Sequence, residues 1–278
     1  MSIQYYPNGI GGYPPGDFLD TCKPLQTSGN VWYVSSLIGV PGGGPGDFTA
    51  GQNREKPLPT LADAVTQSAD EDIIVFLPGH TQTLTATQSI SKRLTLVGEG
   101  VIDGKPAVSF YGEMAAPQAL FRVSAAAVQF RNIYFPENKL SNNVQRILVQ
   151  STDFLMRGCY VECGAKDRGA ALLLSGARPR IESSTFISTA VATAAQPLMA
   201  IQSDTVSIIG LTMEDVVVSA GKFGFSNYAA IDLGAATSLS QMKIEGMSLL
   251  LGADMALPAG ATGRVNVQLA TGGSRVQW

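Results

Sequence analysis

The sequence predicts an all-β fold, a right-handed parallel β-helix (a solenoid) with a short N-terminal capping helix and an extended N-terminal arm. A repeated six-residue pattern, a strand period within each repeat and a column of small residues predict it. The pattern recurs as Phe130-Arg131-Asn132-Ile133-Tyr134-Phe135, Met156-Arg157-Gly158-Cys159-Tyr160-Val161, Ile181-Glu182-Ser183-Ser184-Thr185-Phe186, Ile208-Ile209-Gly210-Leu211-Thr212-Met213 and Ile244-Glu245-Gly246-Met247-Ser248-Leu249. The starts are 26, 25, 27 and 36 residues apart, and an apolar residue (Val123, Val149, Leu174, Ile201) stands seven positions before each of the first four. Recurrence at this interval marks a repeat architecture in which no unit buries its apolar face alone. Apolar and polar residues alternate over short stretches, the period of a strand, and lack the spacing near 3.6 of a helix. The column Asn132, Gly158, Ser183, Gly210, Gly246 predicts a bend after two residues of strand, because Gly and Asn take positive φ at little steric cost.

Taken in order, residues 1–30 are an extended arm rich in Gly, Pro and aromatic residues, among them Tyr5, Tyr6, Tyr13 and Phe18. Such a segment cannot build a core of its own. It is either a loose tail or a docking arm, since aromatic side chains are enriched at contact surfaces. Residues 31–278 form a single β-helix domain: 31–72 an opening strand, loop and capping helix, 73–251 the coils, 252–278 C-terminal strands. Val31-Trp32-Tyr33-Val34 reads as a strand by its β-branched and aromatic content. The loop Pro41-Gly42-Gly43-Gly44-Pro45-Gly46-Asp47 lacks the Lys-Ser/Thr that a phosphate cradle requires. Thr60 is an N-cap for a helix from Leu61 to about Ala69, which would close the exposed end of the first coil. Ile73-Ile74-Val75-Phe76-Leu77 is a continuous apolar run, as in a parallel strand buried on both faces, and Pro78-Gly79 ends it. Leu94-Thr95-Leu96-Val97-Gly98 opens the next coil, and regular repeats begin near Leu120. Between Leu233 and Ile244 the spacing lengthens, which predicts a bulging loop. The alternating Val265-Asn266-Val267-Gln268-Leu269 is either the last coil or a strand that pairs with another subunit.

Charged residues make up 15% of the chain, against about 25% in ordinary globular proteins. That scarcity fits burial on more than one side and predicts an oligomer. A net charge of −3 with scattered Lys and Arg gives no footprint for nucleic acid. The start shows no basic-then-apolar signal segment, and no apolar run reaches the roughly 18 residues of a membrane span. Cys22, Cys159 and Cys163 make no disulfide framework. Cys159 sits at the inward fourth position and is expected to be a buried thiol. With no His near the cysteines, zinc is not expected.

Few residues suggest catalysis. Polysaccharide hydrolysis needs two carboxylates about 5–9.5 Å apart. The second, outward position of the pattern reads Arg131, Arg157, Glu182, Ile209, Glu245, so its acids are interrupted, and Arg157 beside Glu182 reads as a stacked ion pair. Asp153, Asp204, Glu214 and Asp215 fall in turns or at strand ends. No run supplies the six to eight oxygen ligands of calcium. The single histidine, His80, follows Pro78-Gly79 and is expected in a polar surface or capping role; no Gly-x-Ser-x-Gly elbow accompanies it. Tyr134 and Tyr160 occupy the outward fifth position on neighbouring coils, followed there by Thr185, Thr212 and Ser248. They are either a sugar platform or part of a subunit interface.

The stretch from Trp32 to Gly100 resembles the amino-terminal region of phage pectate-lyase-like proteins. The likeness rests on the Trp-Tyr-Val strand, the Gly-rich loop, Pro57-Leu58-Pro59-Thr60-Leu61, the Ala-rich helix, Ile74-Val75-Phe76-Leu77-Pro78-Gly79-His80-Thr81 and Leu94-Thr95-Leu96-Val97-Gly98-Glu99-Gly100. Phage tailspikes share this fold, as do capsid-decorating cement proteins whose trimers look like small tailspikes. The resemblance implies a structural virion protein on the capsid surface, a homotrimer whose other partner is the major capsid protein. It would use no cofactor, metal or catalytic residue and bind neither nucleic acid nor membrane. Tyr5, Tyr6, Tyr13 and Phe18 are its candidate capsid contacts. The alternative is a tailspike-type receptor-binding protein or glycan depolymerase with a host surface glycan as partner. Against it stand the shortness of the chain for a tailspike and the lack of an acid pair. Fold does not decide between them.

Overall fold

The computed structural model describes residues 29–37, 50–114, 118–137, 146–164, 170–188 and 199–202, and beyond them the strands at 207–209, 212–215, 231–232, 243–250, 254–256, 265–269 and 275–277. The arm up to residue 28 lies outside the described residues, as do the loop 38–49, Cys22, Asp204, Gly210 and the loop 233–242. The architecture is the expected parallel β-helix, with three rows of strands winding around one apolar lumen.

The first row runs Val31–Val34, Ile73–Phe76, Thr95–Gly98, Gln129–Arg131, Leu155–Arg157, Arg180–Glu182 and Ser207–Ile209. The second runs Thr81–Leu84, Ser109–Gly112, Tyr134–Phe135, Tyr160–Cys163, Thr185–Ser188 and Thr212–Asp215. The long strand Lys243–Leu250 pairs with both rows and is extended by Val265–Leu269. That tail therefore adds to the solenoid's own ladder. The third row runs from Gln88–Ile90 through Phe121–Val123, Ile147–Val149, Leu172–Leu174 and Met199–Ile201 to Arg275–Gln277.

The register is the one the repeats dictate. Phe130 pairs with Met156 and Met156 with Ile181, all fully buried. The fourth position (Ile133, Cys159, Ser184) and the sixth (Phe135, Val161, Phe186) also point inward. Val123, Val149, Leu174 and Ile201 line the lumen from the third row. Along the axis, Phe76, Phe110, Phe121, Phe130 and Phe154 form an edge-to-face chain with centroids 5.0–5.4 Å apart, each contact adding about 0.5–1.5 kcal/mol beyond buried area.

The bend column is real in the described coils: Asn132, Gly158 and Ser183 have φ of 51°, 63° and 45°. This corner keeps the hydrogen-bond ladder going. Asn132 N donates to Arg157 O and Gly158 N to Glu182 O, and the strand Lys243–Leu250, paired with both rows, makes them one 15-stranded sheet. The Asn132 side chain adds a tie to the preceding coil, donating Nδ2 to the carbonyls of Gly98 and Gly100. Gly246 differs, for it lies within a continuous strand, and the last coil takes up its turn as a register shift between Ile244 and Met247. A second left-handed column, Ala127, Asp153 and Arg178, marks the corner between the third and first rows.

The capping helix α1 spans Leu61–Gln67 and is shorter than expected, because Ser68 turns extended. Thr60 caps it as predicted, accepting from Asp63 N, and Leu61 and Ala64 join the lumen core. His80 departs from expectation. It is fully buried, with its ring between Phe76 and Phe110 at 5.2 and 5.6 Å. Gly79 takes φ of 81° at the turn, and His80 follows it with its ring inside the lumen. Neither ring nitrogen has a hydrogen-bond partner. Burial pushes the ring's pKa down to about 4, against a smaller opposing pull from Gln82 that stops short of hydrogen-bond geometry.

Candidate functional site

The outer face of the second row carries the most concentrated set of polar and aromatic groups. Its outward column reads Thr81, Ser109, Tyr134, Tyr160 and Thr185 in consecutive register. The strand period turns these residues outward while Phe135, Val161 and Phe186 between them anchor the strands inside. Tyr134 and Tyr160 meet edge to face, centroids 5.7 Å apart and planes at 77°. The next outward residue after Tyr160 is Glu162, and Tyr134 donates its hydroxyl to Glu162 Oε2 at 2.5 Å.

The fourth member comes from elsewhere. After Gly98 the chain leaves the coil as a small antiparallel hairpin, Val101–Ile102 paired with Lys105–Pro106. Its turn is Asp103-Gly104, both at positive φ, as a two-residue primed turn requires. The hairpin lays Lys105 across the tyrosines: Nζ is 5.3 Å from the Tyr134 centroid, 5.1 Å from that of Tyr160 and 2.5 Å from Glu162 Oε1. The Glu162 bond pushes the Lys105 pKa upward, outweighing partial burial. Burial first, and the bond to Glu162 second, push the Tyr134 phenol well above its ordinary range. Ammonium and phenol both keep their protons, and both oxygens of Glu162 are engaged. One carboxylate held in this way suits charge binding.

Other outward charges are spent on one another, between coils or along one strand. Arg157 lies beside Glu182 as expected, Nε to Oε2 4.0 Å, and Arg180 also reaches Glu182. Arg178 and Asp153 form a two-pronged pair at 2.7 Å on the second left-handed column. Glu99 is buried and receives Arg54 from the preceding loop at 2.8 and 2.6 Å; burial raises its pKa against the opposing pull of Arg54. Arg131, at an outward position, is nonetheless buried, and its guanidinium donates to Gln129 Oε1. Cys159 and Cys163 are buried thiols, and burial drives Cys159 up to about 12. Among the described residues, no group of three or more His, Cys, Asp or Glu is placed to hold a metal ion.

The sequence placed Tyr134 beside Tyr160 and Arg157 beside Glu182, and the structure brings both pairs together. It missed Lys105 and Glu162. The signal for Lys105 was the Asp103-Gly104 dipeptide, the strongest short-range hairpin signature. Tyr5, Tyr6, Tyr13 and Phe18 lie outside the described residues. No protein-family model matches the chain, and no curated protein does. A solved structure, the crystal structure of pectate lyase Pel9A, is similar at 11% identity over 87% of this chain and 80% of its own, with a TM-score of 0.31. A likeness of that size bears on neither substrate nor catalysis.

Proposed function

We propose that the chain is a structural virion protein, a homotrimeric β-helix that decorates and braces a phage capsid without catalysis. The observation that carries this reading is the closure of the outer face. Lys105 with Glu162, Arg157 with Glu182, and Arg178 with Asp153 pair across coils, and Arg180 joins Glu182 from the same strand, which stiffens a rod more than it serves a substrate. Support for self-association comes from the large exposed apolar side chains among the described residues. Leu37, Val101 and Ile102 are 69%, 44% and 56% exposed, and they converge on one corner of the first coils. Leu37 lies over Gly79, Gly79 N donates to Ala107 O, and Ala107 N donates to Gly100 O beside Val101. A cluster of this kind on a chain with few charges fits a subunit contact.

The arm supplies the shell contact in this reading. Extended chain reaches roughly 3.3 Å per residue, and Tyr5, Tyr6, Tyr13 and Phe18 would order into grooves between capsid subunits. The test is a chain starting at Asn30. It should trimerise, with a light-scattering mass three times that of one truncated copy, yet attach poorly to undecorated capsids. A monomeric product would move the arm into the trimer interface, and full capsid occupancy would refute its docking role.

A second reading, a tailspike-type glycan-binding protein or depolymerase, is favoured by the Tyr134–Tyr160 platform. It is opposed by Lys105, which lies over both rings. Release of oligosaccharides from host polysaccharide, lost on carboxylate substitution, would establish the second reading against the first.

A further inference from the structure

We propose that Tyr134, Tyr160 and Glu162 form a binding site for an alkylammonium group. Lys105 of the same chain fills it at rest, and it opens to the ammonium of another molecule when the Val101–Pro106 hairpin lifts.

The chemistry of the notch is specific. Two ring faces set at 77° and a carboxylate surround one ammonium nitrogen, 5.3 and 5.1 Å from the centroids and 2.5 Å from Glu162 Oε1. Aromatic faces attract cations through their quadrupole, and paired aromatic walls are how proteins recognise alkylammonium ligands. The carboxylate adds the charge complement.

Walls and plug differ in stiffness. Tyr134, Tyr160 and Glu162 stand on parallel strands locked in register, with the adjacent Phe135 and Val161 fully buried. Tyr134 holds Glu162 through the oxygen that Lys105 does not use. The notch therefore keeps its shape when the lysine leaves. The plug hangs on a hairpin with two residue pairs, Val101 with Pro106 and Ile102 with Lys105. Its first strand is exposed, and open space surrounds the Gly104 turn. A short two-stranded hairpin is marginal by itself, so in a single copy displacing it gives up two residue pairs and the burial of Pro106. The ligand must be slender and singly charged at its end, like the lysine it replaces: a free amine or a lysine side chain of another protein.

The test uses the full chain carrying Lys105→Ala, titrated with n-butylammonium chloride and followed by tyrosine fluorescence. Binding in the millimolar range is expected, at least about tenfold tighter than to the unaltered chain, whose own lysine competes. Uncharged 1-butanol should not bind, and adding Glu162→Gln should weaken butylammonium by about tenfold or more. Should Lys105→Ala fail to fold, Lys105→Gln removes the charge while keeping the stem and is titrated in its place. Competition by the peptide Gly-Lys-Gly assigns the site to lysine side chains, whereas binding of butylammonium alone assigns it to small amines. No binding to the emptied site, or binding unaffected by Glu162→Gln, overturns the proposal.

Discussion

Trp32 Nε1 donates to Asp72 Oδ2 at 2.8 Å, and that bond fastens the opening strand to the corner from which the second strand starts. The same carboxylate accepts Asn30 N at 2.6 Å and Ala69 N at 2.8 Å, so one buried side chain joins opening strand, helix exit and first coil. A buried donor left without a partner costs about 1–3 kcal/mol. Asp72→Ala leaves the buried Trp32 Nε1 without its partner, while the part-buried Asn30 and Ala69 amides can turn to water, and should destabilise the fold by about 1–3 kcal/mol. Urea unfolding monitored at Trp32 checks this, and a midpoint close to the unaltered chain's would remove Asp72 from that role.

His80 gives the lumen an acid sensitivity. Its folded pKa of about 4 lies below the ordinary 6.5, so between those values the unfolded chain takes up a proton that the folded chain refuses. Stability from this group is complete above about pH 6.5 and declines as pH falls toward 4, by roughly 3 kcal/mol in all. Glu99, raised by burial, contributes with the opposite sign, so the measurement is a comparison. His80→Leu should flatten the stability curve between pH 6.5 and 4 relative to the unaltered chain, and parallel curves would contradict the assignment.

At Gly158 conformation matters and space does not. A Cβ added there would meet nothing nearer than Asn132 N at 3.9 Å, but φ is +63°. Gly158→Val should therefore cost about 2 kcal/mol, while Gly158→Asn, matching Asn132 one coil earlier, should cost less than about 1 kcal/mol. Equal melting temperatures for the two variants would argue against a left-handed corner.

The Arg157–Glu182 pair is half-exposed, and its closest approach is 4.0 Å. Exposed pairs contribute about 0.2–1 kcal/mol, and Arg180 also serves Glu182. Arg157→Ala should change stability by less than about 1 kcal/mol. A larger loss in thermal unfolding would mean that the outer ladders carry more of the fold than their geometry implies.

What the sequence disclosed and what it hid divide along the period of the coil. Repeats every 25 residues or so place Phe130, Met156 and Ile181 inside and Arg157, Glu182, Tyr134 and Tyr160 outside, because side-chain direction in a strand follows from position alone. The second left-handed column was hidden, since Ala127 and Arg178 carry no left-handed preference to betray it. His80 was misplaced because it follows the Pro78-Gly79 turn before the regular repeats begin, where periodicity does not set side-chain direction. Gly176 gave no signal either, although a Cβ there would sit 1.6 Å from Ser151 O in the adjoining coil. Half of the candidate site was invisible for a similar reason. Lys105 leaves the repeat on a hairpin and meets Glu162 57 positions later, and no local pattern encodes that encounter.

The central claim is that this solenoid braces a shell, and it is tested most directly where such a brace would sit. Electron cryo-microscopy of particles assembled with and without the chain should show threefold density on the capsid surface only when the chain is present. Density at a tail tip, or none on the shell, would contradict it.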